Sequence, residues 1–214
     1  VMWSTVEKTA LAEAEIEYKE HKSTTIFVKF PILESSDLDL KGSSVIIWTT
    51  TPWTIPGNRA IAYSKNIKYS LFQVNETEEN SHLKIEDRII IAHDLEKSFR
   101  EQCRVKSVTK IKDIEDLGSL VCAHPFVKSG YNFEIKLYEA DFVTLEQGTG
   151  FVHIAPGHGA DDYILGITNN IEVPDTVDQD GFYFDHVPLF KGKKIFNDDG
   201  SDADANVAVI IELK

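Results

Sequence analysis

Cysteine is scarce: Cys103 and Cys122 are the only two in 214 residues. Two cannot make the four-ligand Cys zinc site, and so few suit a reducing compartment. Positive charge is scarce as well. There are 22 Lys and Arg against 35 Asp and Glu, a net charge of −13. That balance argues against a protein that coats nucleic-acid backbones, but not against one that grips a single nucleotide end. No run approaches the ~18 apolar residues of a membrane span. The start, VMWSTVEKTALAEAEIEYKE, is rich in Glu where a signal peptide would have its apolar region. A chain that begins on Val is expected to be a piece of a longer one. Internal repeats and low-complexity tracts are absent, and so are the HExxH spacing of a helical zinc site and the GxSxG elbow of a serine hydrolase.

With 42% hydrophobic and 27% charged residues, the composition is that of an ordinary globular chain with one sizeable core, or at most two small ones. Short β-patterned runs dominate: residues 23–32, 43–50, 58–64, 67–74, 87–92, 105–111, 119–126, 131–138, 141–145 and 149–155 read as strands. Pro31 is expected to end the first of these. Residues 75–84 read as a solvated hairpin tip. Residues 10–18, ALAEAEIEY, set helix propensity against period-two alternation; the alternation predicts a strand. Helices are expected at 94–102, capped by Asp94, after the glycines of GHGADDYILGI, and in the tail DADANVAVIIELK. Many short strands with turns between them imply a β-barrel or sandwich with a few helices at its edges.

Two stretches carry chemistry. WTTTPWTIPGN, residues 48–58, follows a buried strand and ends it in three hydroxyls. Thr49, Thr50, Thr51, Thr54 and Asn58 both donate and accept hydrogen bonds, so they suit a water, a ribose or a base edge. The plainer reading is a strand whose threonines are strand formers. GTGFVHIAPGHGADDY, residues 148–163, runs a strand bearing His153 through a glycine turn into a helix that opens with Asp161 and Asp162. Acids in a first helical turn also have a structural reading, offsetting the helix dipole, and it is strongest for Asp161. A metal site of His153, His158 and an Asp is the alternative, without a supporting spacing.

Together these stretches resemble the editing domain inserted in isoleucyl-tRNA synthetase. The valyl and leucyl relatives carry Arg after their Thr pair, where this chain has Thr51. VEKTALAEAEIEY and DGFYFDHVPLFKGKKIF are similar to the same family, so the resemblance spans essentially the whole chain. Gly57 stands where the family often has Ala, with no consequence expected. HIGH-like and KMSKS-like activation signatures are missing. The resemblance implies a mainly β, barrel-centred domain with a few peripheral helices: one domain over 1–214, with about 1–20 and 195–214 leading to the synthetase body.

The resemblance also implies roles. Trp48, the Thr49–Thr51 run, Thr54 and Asn58 match the segment that lines the pocket for the terminal adenosine and the ester. Thr49, Thr50, Thr51, Thr54 and Asp162 are the expected catalytic set. Asp162 matches the aspartate that holds the substrate α-ammonium, and His153 the histidine that limits the amino-acid side chain. The expected reaction is hydrolysis of Val-tRNA(Ile) by a positioned water, without metal or cofactor in this domain; ATP belongs to the full-length ligase. The expected partners are the aminoacyl-tRNA 3′ end and the synthetase body, in the cytoplasm and without a membrane. Lys191, Lys193 and Lys194 either touch the acceptor strand or form a solvated basic loop. The competing functions are a docking module for the tRNA end without hydrolysis, the editing domain of a valyl or leucyl relative, and a stand-alone metal hydrolase.

Overall fold

Runs rich in Val, Ile, Phe and Tyr build the sheet, because branched and aromatic side chains pack well on a pleated surface. A computed structural model describes residues 2–18 and 22–214. A small hairpin opens it: β1 (Trp3–Ser4) with β2 (Thr9–Ala10). The main sheet contains β3 (Ile26–Glu34), β4 (Ser43–Thr49), β5 (Ala60–Tyr63), β6 (Tyr69–Thr77), β7 (Arg88–Ala92), β8 (Val105–Ile114), β9 (Val121–Ala123), β10 (Glu134–Glu139) and β11 (Val152–Ile154). Their order is β11-β5-β10-β9-β3-β4-β7-β6-β8. The β4–β7 and β10–β5 pairs are parallel and the others antiparallel. Among the described residues three α-helices lie outside it: α1 (Glu96–Cys103), α2 (Ala160–Thr168) and α3 (Asp204–Glu212).

Strand β4 is central and apolar on both faces. Val45 and Ile47 enter the larger core with Phe30, Leu71, Ile90 and Phe190, while Ile46 points the other way, toward Phe72, Ile89 and Phe99 of α1. Burial on both faces explains why SSVIIW reads as a continuous run rather than an alternation.

The sheet curls so that the last residue of β7 and the first of β6 meet the segment before β11. Ala92 N–H donates to Thr149 O at 2.8 Å. The Tyr69 hydroxyl donates to Gly150 O at 2.6 Å and accepts from Ser64 N–H at 3.0 Å. Gly150 has φ +76, and a Cβ there would lie 2.5 Å from Ala92 Cβ. Only glycine allows the backbone this approach. The seam gives the mainly β, barrel-centred architecture expected from the sequence.

Several local expectations are corrected. Residues 10–18 do not form a strand: β2 stops at Ala10, and a 3-10 turn occupies Glu13–Glu15. The alternating residues there are mostly alanines left exposed, too small for burial to hold a strand in place. Pro31 does not end β3. It sits where β3 changes partner from β4 to β9, an exposed position. Asp94 is not the cap of α1; it lies within a 3-10 turn, His93–Leu95, that precedes the helix. Residues 141–145 are irregular rather than strand. Of the expected flank at 1–20, Val1, Lys19 and Glu20 lie outside the described residues. At the other end, α3 packs on the 3-10 turn after β4, with Asn206 Oδ1 accepting from Trp53 N–H at 2.9 Å. No helix among the described residues is long and apolar enough to cross a membrane.

The seam is testable at Tyr69. Tyr69→Phe leaves the buried Ser64 N–H and Gly150 carbonyl without that partner. It should lower unfolding free energy by about 2–3 kcal/mol, the scale of stranding buried polar groups. Urea denaturation of the two proteins checks this, and a loss below about 0.5 kcal/mol would show that the seam is held elsewhere.

Candidate functional site

The site forms where β4 runs out. Beyond Thr49 the chain turns into a 3-10 helix, Pro52–Gly57. Proline suits a helix start because its missing N–H would be unpaired there in any case. The Thr51 carbonyl accepts twice, from Thr54 N–H at 3.1 Å and from Thr54 Oγ1–H at 2.8 Å. The Thr49 hydroxyl accepts from Thr51 N–H at 3.0 Å, and the Thr50 and Thr51 hydroxyls lie 3.3 Å apart.

The second motif meets this turn from β11. His153 pairs in register with Ile61 of β5, and its ring is buried. Its Nε2 is 2.8 Å from Thr54 Oγ1 and its Nδ1 is 3.1 Å from Asn58 Nδ2. The chain then turns through Ala155–Gly159 into α2. Asp162 sits in the first turn and folds back, its Oδ2 accepting from Ala155 N–H at 2.8 Å. Gly159 makes room: a Cβ there would lie 2.9 Å from Asp162 Cγ.

Between the motifs lies a cavity of about 400 Å³. Trp48, Thr49, Thr50, Thr51, Thr54, His153 and Asp162 all line it. Of the expected site residues Asn58 alone does not: it is fully buried behind His153, with its second amide hydrogen on Ala60 O at 2.9 Å. Trp53, His158 and Phe151 complete the inner wall. Gly57 presses on this wall, since a Cβ there would sit 3.0 Å from His158 Cδ2.

Sequence reasoning missed Phe142, Thr144 and Gln147, which line the mouth from the irregular stretch after β10. A strand was expected over 141–145, which leaves out Gln147 and carries no sign that Phe142 and Thr144 face the threonines. The available signal was the Gly148–Thr149–Gly150 turn. Gly148 has φ +83, and a Cβ there would meet Trp48 Cβ at 3.2 Å, so this loop must lie directly on Trp48.

The electrostatics separate the histidines from the acid. Burial pushes His153 down to about 4, with His158 nearby adding to the effect. Burial also takes His158 to about 4 and His124 to about 3. All three are neutral imidazoles near pH 7. Burial raises the Asp162 carboxyl, opposed by the Ala155 N–H bond. Among the described residues no Lys or Arg pairs with Asp162 in an ion pair, and no three His, Cys, Asp or Glu side chains converge on a point as metal ligands. The basic loop is engaged elsewhere: Lys191 pairs with Asp185, Lys193 with Asp204 and Lys194 with Asp198.

Comparison with known proteins agrees with this architecture. Over 100% of its length the chain is 44% identical to an isoleucine–tRNA ligase of Bradyrhizobium diazoefficiens and 46% identical to that of Caulobacter vibrioides, in each case covering 23% of the relative. The chain matches the isoleucine–tRNA ligases in sequence and the synthetase CP1 editing domains in fold. Among solved structures, GlLeuRS-CP1 superposes with a TM-score of 0.52 at 17% identity, covering 69% of this chain and 61% of that one. The Plasmodium knowlesi cytosolic leucyl-tRNA synthetase editing domain gives 0.51 at 14% identity, covering 70% and 65%. No protein-family model matches the chain. The chain thus spans about a quarter of the length of these ligases.

The buried histidines predict acid sensitivity. Their folded pKa values lie below the unfolded value of about 6.5, so the unfolded chain takes the protons first as pH falls. The stability they contribute is complete above about pH 6.5 and is lost from there toward about pH 4, the folded value of His153. His124 and His153 should each remove roughly 1.4 kcal/mol per pH unit in that window. Asp162, with a raised pKa, acts in the opposite direction. Unfolding free energy measured from pH 7.5 to 5 should fall, and His153→Gln should reduce the slope by about one proton. Stability unchanged across this range would contradict the burial of neutral imidazoles.

Proposed function

We propose that this chain is a post-transfer editing module that hydrolyses Val-tRNA(Ile) and acts within an isoleucine–tRNA ligase. The observation that carries the reading is the meeting of two motifs 99 residues apart, at the Thr54–His153 contact, around one cavity with a lone carboxylate at its edge. Isoleucine and valine differ by a methylene, worth only roughly 1–3 kcal/mol in a binding pocket; isoleucyl-tRNA synthetase is itself the usual illustration of that limit. A second site that destroys the smaller product removes the residual error.

Each part of the cavity has a task in that chemistry. Asp162 receives the α-ammonium shared by every aminoacyl group in a charge-assisted hydrogen bond. The hydroxyls of Thr49, Thr50 and Thr51 form a polar shelf for the ester, the ribose and a water, and Trp48 closes the shelf. His153 faces the substrate side chain as a rigid wall that valine clears and isoleucine strikes. Water adds to the ester carbonyl and the ribose oxygen leaves, taking up a proton, to give valine and deacylated tRNA. An aminoacyl ester is already activated, so orientation of the water supplies most of what is needed.

The partners under this reading are the 3′ end of aminoacyl-tRNA and the synthetase body of the same protein, in the cytoplasm. No cofactor acts in this domain, and ATP is used by the ligase active site elsewhere. The engaged lysines and the charge of −13 support entry of a short single-stranded end rather than a broad phosphate contact.

Two substitutions test it. Asp162→Asn keeps the shape and the Ala155 hydrogen bond but removes the charge. Deacylation of Val-tRNA(Ile) should fall at least ~100-fold, the scale of a lost charged hydrogen bond of ~3 kcal/mol. A variant with wild-type rates, or a chain that binds the tRNA end without hydrolysing it in the full-length ligase, overturns the reading. His153→Ala should admit Ile-tRNA(Ile), which the unaltered protein spares, while keeping part of the activity on Val-tRNA(Ile). A general base at this position would instead lose both activities and open neither.

A further inference from the structure

The His153 ring is held from both sides, and its hydrogen atoms can be assigned from its neighbours. Thr54 Oγ1 has one proton, and the Thr51 carbonyl 2.8 Å away can only accept it. Toward His153, Thr54 Oγ1 is therefore an acceptor, so the ring nitrogen 2.8 Å from it, Nε2, carries a hydrogen. The Asn58 amide is oriented by the same logic. The group 2.9 Å from the Ala60 carbonyl must be the NH₂, since the amide oxygen would face a second acceptor there. The other hydrogen of that NH₂ points at His153 Nδ1, 3.1 Å away, which must be a bare lone pair. Two backbone carbonyls, of Thr51 and Ala60, thus dictate the tautomer of a ring that neither touches.

From this geometry we propose that Asn58 and Thr54 are positioning residues, which hold His153 as the neutral Nε2–H imidazole in a single orientation and thereby fix the wall that limits the substrate side chain. The inference rests on the reading of His153 as that wall. It gives Asn58 a role different from the ribose or substrate contact expected of it. Asn58 is fully buried and does not line the cavity, so it acts through the histidine. Thr54 does line the cavity, but its hydroxyl proton and its acceptor face toward His153 are both committed. With both ring nitrogens engaged by protein, His153 has no free lone pair with which to take a proton from water. That agrees with a wall and not with a general base. It also accounts for a wall made from an imidazole ring: two directional bonds fix its χ2, a torsion that is otherwise broad and roughly two-fold.

The test joins a spectroscopic readout to a selectivity readout. In protein labelled with ¹⁵N-histidine, His153 signals are identified by their loss in His153→Gln. They should show a protonated Nε2 and an unprotonated Nδ1 at pH 7. Thr54→Ser keeps the hydroxyl and should keep that pattern. Thr54→Val removes the acceptor and should give a mixture of tautomers. Asn58→Asp places a carboxylate at Nδ1 and should move the proton to Nδ1. In the full-length ligase, Thr54→Val should raise the ratio of Ile-tRNA(Ile) to Val-tRNA(Ile) deacylation roughly tenfold, as a displaced wall loses its fit, and Thr54→Ser should not. A wild-type proton on Nδ1, or a Thr54→Val variant unchanged in both tautomer and selectivity, overturns the proposal. The wall reading fails separately, if His153→Ala still refuses Ile-tRNA(Ile) while the tautomer pattern holds.

Discussion

Thr54 Oγ1 and His153 Nε2 meet at 2.8 Å in the buried wall of the cavity, and they come from stretches 99 residues apart in the chain. Buried polar groups must find partners, because leaving one unpaired costs more than most packing contacts contribute. That requirement ties the turn after β4 to the strand β11. Once these two are joined, the threonine hydroxyls before Thr54 and the carboxylate after His153 have little choice but to face one cavity. The fold around them has the task of bringing the two strand ends together, and the seam at Gly150, Tyr69 and Ala92 does so by closing the sheet beside β11.

The division of charge within the site follows from the same burial. Histidines surrounded by aromatic rings and carbonyls stay neutral. His124, for example, stacks on Tyr131 at 4.6 Å and donates to the Ile55 carbonyl. It supports the 3-10 turn from beneath without touching the cavity. Asp162, half-buried with one backbone donor, is the group at the cavity whose charge is least well satisfied by the protein itself. A carboxylate left in that condition is suited to an incoming cation, and under the proposed reading that cation is the α-ammonium of an aminoacyl ester. Under the proposed reading, hydroxyls, a neutral ring and one acid would recognise and orient an ester rather than attack it with a side chain.

The exterior is consistent with a small footprint on nucleic acid. Lysines 191, 193 and 194 looked available in the sequence, yet each meets an aspartate in the folded chain. Exposed ion pairs of this sort contribute little to stability, but they do reduce the positive field that would attract a long stretch of phosphates. Under the proposed reading, in which one flexible single-stranded end reaches the site, that field is not needed.

The sequence by itself determined the strand-rich class, the apolar strand read at 43–50 and the two motifs that line the cavity, because these depend on local patterns: runs of branched side chains, a Pro turn, glycines before a helix. It did not determine residues 10–18, where alternation suggested a strand but the alanines bury too little surface to hold one, nor residues 141–145, which have β-forming side chains and no strand to pair with. Tertiary structure alone decided that this unpaired loop would bring Phe142, Thr144 and Gln147 to the cavity, that Asn58 would stand behind His153 instead of beside the substrate, and which ring nitrogen of His153 carries the hydrogen. Hydrogen-bond partners distant in sequence settle each of those points, and no local pattern records where a distant carbonyl will lie.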